Sequence, residues 1–180
     1  GISTKEKELA ISWLAKGDIK PAQSKSFIPE LCNYLSEPLG VSVNVEKWIV
    51  DYIGEYKKAK VANRYTDVLK DFIKEHNSDE VAFDTWYQRF STVRTLLANR
   101  GDIEVFYWVD GLGIDWIPLV KEIIREKNDP NLFLNEVMIA RSLLPSTTAV
   151  NKAELQKLLP KGQQLLKAGD IDSFAHQSVN

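Results

Sequence analysis

Over roughly the first hundred positions, apolar residues return every three to four places, the period of helices with one buried face. Ser3-Thr4-Lys5-Glu6 has the spacing of a capping box, so a first helix is expected with Leu9, Ile11, Trp13 and Leu14 on its buried part. Gly17-Asp18-Ile19-Lys20-Pro21 ends it. A second helix is expected from about Ser26 to Leu35, stopped by Ser36-Glu37-Pro38-Leu39-Gly40. After Asn44, Trp48, Ile49, Tyr52, Ile53 and Tyr56 fall on one face of a third. Tyr65, Val68, Leu69, Phe72 and Ile73 mark a fourth that ends near His76-Asn77. Ser78 or Asp79 caps a fifth, which carries Val81, Phe83, Trp86, Tyr87, Phe90, Val93, Leu96 and Leu97 to a stop at Gly101.

From Ile103 the pattern changes. Ile103-Glu104-Val105-Phe106-Tyr107-Trp108-Val109 is almost unbroken apolar, which predicts a strand covered on both faces. Asp115 is placed to cap a following helix through Trp116, Ile117, Leu119, Val120, Ile123 and Ile124, with Pro118 tolerated in the first turn. After the turn Asn128-Asp129-Pro130-Asn131, a second strand is expected over about Phe133 to Ser142, completing a right-handed βαβ unit. A helix from Asn151 to Leu159, a break at Pro160-Lys161-Gly162 and a last short helix from Ile171 to about Gln177 follow. The expected class is therefore α/β, with an all-helical domain over 1–101 and a βα domain over 102–180.

Charge changes this picture little. The chain has 23 Lys and Arg against 25 Asp and Glu, which gives no support to direct nucleic-acid binding through a broad basic surface. Lys57-Lys58, Lys60 and Arg64 form the one basic cluster of the helical half and are read as a solvated helix face, the aromatic stripe there as core. No apolar run approaches the roughly 20 residues that cross a bilayer, and no signal-peptide pattern is present, so a cytoplasmic location is expected. The single cysteine, Cys32, sits in an apolar helical stretch and is read as core.

Two runs carry the chemistry. Trp108-Val109-Asp110-Gly111-Leu112-Gly113 ends a strand in an acid and glycines, and Leu144-Pro145-Ser146-Thr147-Thr148-Ala149-Val150-Asn151-Lys152 leads from proline and hydroxyls into a helix. In open α/β sheets ligands bind beyond the carboxyl ends of the strands, where such residues meet. A carboxylate beside a hydroxyl suits metal-assisted attack on phosphorus. The pair of runs, in this order and about 30 residues apart, resembles the PglZ family of bacterial phage-exclusion (BREX) systems, a branch of the alkaline phosphatase superfamily. The resemblance is confined to residues 103–180.

The resemblance implies the first βαβ portion of an alkaline-phosphatase-like parallel-sheet domain. It implies Thr148 as nucleophile, with Thr147 the alternative, and Asp110 and Thr148 as ligands of a divalent metal, zinc or manganese. Gly111 and Gly113 then let backbone and substrate approach closely. Asn151 and Lys152 become contacts to the phosphoryl group. Helix capping is the competing role for Asp110 and both threonines. In that family further metal ligands come from a later Asp-His motif, and the only histidines here are His76 and His176. The chain thus reads as a piece of a longer enzyme, inactive and binding metal weakly by itself. A non-catalytic module that binds other phage-defence components, such as a DNA methyltransferase, is the alternative.

Overall fold

Ser3 opens the first helix as its spacing predicts. In a computed structural model describing residues 2–36, 39, 45–78, 80–98, 100, 106–158 and 165–170, the Glu6 amide donates to Ser3 Oγ. The Ser3 amide returns a bond to the Glu6 carboxylate at 2.7 Å, closing the capping box. The Ser3 amide foremost, and then the Ser3 hydroxyl, which donates to the same carboxylate at 2.7 Å, hold the Glu6 carboxyl below its usual range. Helix α1 (Thr4–Lys16) stops at Gly17, whose φ of 83° lies in the left-handed region that glycine enters freely. Helices α2 (Pro29–Ser36), α3 (Lys47–Ala62) and α4 (Asp67–Asn77) follow near their expected places. The Thr66 hydroxyl caps α4 by accepting from the Leu69 amide.

The expected fifth helix is broken in two. Helix α5 (Glu80–Arg89) ends before Ser91, and the Thr92 side chain caps a separate short helix α6 (Val93–Leu97) by accepting from the Thr95 amide. A Ser-Thr pair inside an apolar period offers the backbone this restart, because their hydroxyls compete for its amides. Strand β1 (Phe106–Asp110), helices α7 (Ile117–Lys127) and α8 (Thr148–Leu158), and strand β2 (Leu165–Asp170) complete the described elements. The expectations at Asp79, Gly101, residues 103–105 and 160–162 and the final helix at 171–177 lie outside the described residues.

The described residues are mostly helical, and the parallel-sheet domain expected from the resemblance is not what they form. Their β-structure is limited to β1 beside β2, in parallel, with an irregularity between Trp108 and Asp110. Residues 133–140, expected as the second strand, form no regular structure. Phe133 is 74% exposed, and the segment's ladder contact is a single bridge from Arg141 to Thr92. Its apolar positions alternate only loosely, so no one face is worth burying. Nor is β1 covered on both faces, since Tyr107 is 66% exposed.

Two compact units result, each made of two stretches of chain. One comprises Gly1–Glu80 and Gly113–Val137, the other Val81–Leu112 and Met138–Asn180. The change of period near residue 102 therefore falls inside the second unit. In the first, α3 packs on α1 and α4, and α7 packs on α2. Ile28, Cys32, Ile49, Ile53 and Leu69 are buried in that core.

A polar network is buried in the same unit. Asp115 does not cap a helix as expected. It accepts from the Tyr34 hydroxyl at 2.7 Å and from Lys60 Nζ at 2.9 Å, and it is buried. Lys60 Nζ also stands 5.1 Å from the Trp116 ring centre and 5.3 Å from that of Tyr56, within cation–π range. Lys57, expected on a solvated face, is 1% exposed and donates to the Tyr34 carbonyl at 3.0 Å. Burial first, then the bond to Asp115, drives the Tyr34 phenol well above its usual range, so it stays a neutral donor.

The network also explains Gly113. A Cβ added there would meet Asp115 Oδ1 at 2.7 Å, and Asp115 is held in place through its other oxygen. Gly113 thus makes room for a neighbouring side chain. Gly113→Ala is expected to cost about 1–2 kcal/mol in chemical denaturation. An unchanged midpoint would show that Asp115 moves without penalty.

Candidate functional site

Strand β1 delivers Asp110 at its end, and a turn at Gly111 with φ of 75° leads the backbone away. That φ favours glycine strongly. The Asp110 backbone stands opposite Asp170 of β2, and its side chain lies outside the described part of the structure.

The loop before α8 is built locally. The Leu144–Pro145 peptide is cis, and the Thr147 amide donates to the Pro145 carbonyl at 2.7 Å. Asn151 then clamps the loop from the helix side. Its Oδ1 accepts from the Leu143 amide at 2.7 Å, and its Nδ2 donates to the carbonyls of Leu143, at 3.2 Å, and Thr147, at 3.1 Å. An amide with its oxygen and both hydrogens engaged has little capacity for a phosphoryl oxygen. Asn151 is therefore a loop clamp in this geometry.

Thr148 is the first residue of the 11-residue helix α8 and is exposed, as are Ser146 and Thr147. A hydroxyl there stands at the positive end of the helix dipole, where backbone amides favour an anion. Lys152, on the next turn, is half-buried. Among the described residues no three His, Cys, Asp or Glu side chains come together to hold a metal ion. The described residues thus do not by themselves fit the metal centre that the resemblance implies.

One feature of this unit was not legible in the sequence. A cavity of about 310 Å³ is lined by residues from both runs, among them Trp108 and Asn151, together with Arg94, Arg141, Glu154 and Leu155. Arg141 is fixed by its neighbours: its guanidinium lies 5.1 Å from the Tyr87 ring centre, and it donates to Gln88 Oε1. Tyr87 in turn donates to the Ser142 carbonyl. Glu154 is paired with Lys157, whose hydrogen bond leads in holding its carboxyl below the usual range, and Arg94 adds to the effect. Two donors in this wall are buried with no partner among the described residues, Trp108 Nε1 and Arg141 Nε. Each such orphan typically costs about 1–3 kcal/mol.

Comparison of the chain with protein-family models, with curated proteins and with solved structures finds no match. Among the described residues no helix is long and apolar enough to cross a membrane.

Proposed function

We propose that this chain carries the nucleophile of a PglZ-like phosphohydrolase of a bacterial phage-defence system. The observation that carries the reading is Thr148, exposed as the first residue of α8, in the same unit as the strand-ending Asp110. The Thr148 Oγ1–phosphorus bond forms as the ester P–O bond breaks, and the proton released by the Thr148 hydroxyl is taken up by the departing alkoxide. Water then cleaves the phosphothreonine to free phosphate. The amino end of α8 favours the phosphoryl charge throughout. Lys152 is proposed as a second source of positive charge. A divalent metal would need ligands besides Asp110 and Thr148. The proposed setting is the cytoplasm, and the proposed partners are other phage-defence proteins, such as a DNA methyltransferase.

The test is covalent trapping. The full-length protein is exposed to a phosphate ester with zinc or manganese, quenched in acid and digested. Mass spectrometry is expected to find phosphothreonine at Thr148. Phosphate on Thr147 would move the nucleophile by one residue. Label on neither residue while the ester is being hydrolysed would refute the phosphothreonine route.

A further inference from the structure

The geometry points to the cavity walled by Trp108, Arg94 and Arg141 as a binding site for a small organic anion, a carboxylate or phosphate carried on an apolar body. Three observations converge on it. Two lining residues carry buried donors, Trp108 Nε1 and Arg141 Nε, that no acceptor among the described residues satisfies. Buried polar groups normally have partners, so two orphans in one wall specify what the occupant must offer: acceptor oxygens. Three other polar side chains of the lining are already committed. Thr92 Oγ1 caps α6, Asn151 clamps the loop, and Glu154 pairs with Lys157.

Charge and shape supply the rest. Arg94 and Arg141 face a single lining carboxylate, that of Glu154, so the wall favours a negative occupant. Val93, Ala140, Leu143 and Leu155 complete an apolar surround, and about 310 Å³ is at the small end of ligand sites. Arg141 is also preorganised. Its stacking on Tyr87 and its bond to Gln88 hold the guanidinium before any ligand arrives, which lowers the ordering cost of binding. The site does not rest on Thr148 being a nucleophile, since Thr148 is not part of this lining.

The protein labelled with ¹⁵N is titrated with benzoate, phenyl phosphate and, as the neutral match, benzyl alcohol. Of the five indole signals, that of Trp108 is assigned by its absence in Trp108→Phe. The Trp108 indole and Arg141 Nε–H signals are expected to shift saturably with at least one anion, and at least about tenfold more tightly than with benzyl alcohol. Trp108→Phe keeps an apolar ring, removes the donor and trims the ring's volume. It is expected to retain the amide spectrum and weaken anion binding about tenfold, measured by calorimetry. Should that variant fail to fold, the comparison of anion with alcohol on the native protein decides alone. Equal affinity for charged and neutral probes, or two donor signals unmoved by all three up to about 10 mM, would overturn the proposal and leave water as the occupant.

Discussion

Replacing Thr148 with alanine is expected to lower phosphate-ester hydrolysis by the full-length protein about a thousandfold or more, because the variant has no oxygen there to attack phosphorus. The fold should survive. Thr148 is exposed, and the loop before it is held by the three hydrogen bonds of Asn151, which the substitution leaves alone. Thr147→Ala serves as the matched control. Its backbone amide and carbonyl make the local bonds, to Pro145 and from Asn151, and both remain in the variant. Thr147→Ala should therefore keep most of the activity. Assays of the two variants side by side with excess metal decide the matter. An inactive Thr147→Ala with an active Thr148→Ala would exchange the two roles. Full activity in both would rule out either threonine as nucleophile, and no hydrolysis by the native protein would leave the interaction module as the better account.

Asp115→Ala is expected to destabilise the first unit by about 2–3 kcal/mol, read from chemical denaturation. Alanine strips the buried Tyr34 hydroxyl of its acceptor and leaves a small void beside it. The ion pair itself adds less, because the Lys60 side chain is 39% exposed and can turn to water. Asp115→Asn keeps an acceptor for Tyr34 and should cost about 1 kcal/mol. The Tyr34→Phe, Asp115→Ala double variant should cost less than the sum of the singles, since the shared bond is counted twice in that sum. Strict additivity would show that Tyr34 and Asp115 are not coupled, and an Asp115→Ala loss under about 0.5 kcal/mol would show that the carboxylate adds little to stability.

Elements whose bonding partners lie within one turn could be read directly from the chain. The capping box of Ser3 and Glu6 spans three residues, and the start and end of α1 follow from it and from Gly17. The same holds for α3, α4 and α7, whose apolar residues repeat at helical spacing. The strand at Trp108 was legible in its apolar run. Its neighbour was not, because strand pairing depends on a partner far along the chain, and a loosely alternating segment such as 133–140 says little about which edge it will find.

By itself, then, the sequence determined roughly where α1 to α4 and α7 run, that Cys32 belongs to the core, and that Asp110 closes a strand, while the start of α8 at Thr148, three residues before the expected Asn151, and the break between α5 and α6 were not read from it. What each polar side chain does there was decided only by tertiary structure. Asp115 had the local marks of a helix cap, yet it meets Tyr34 from 81 positions away and Lys60 from 55. Arg141 is held by Gln88, 53 positions earlier. Asn151 turned back onto its own loop. The physical reason is common to all three. A charged or amide group taken out of water must find complementary atoms or pay for its desolvation, and which atoms lie within reach is a property of the packed chain.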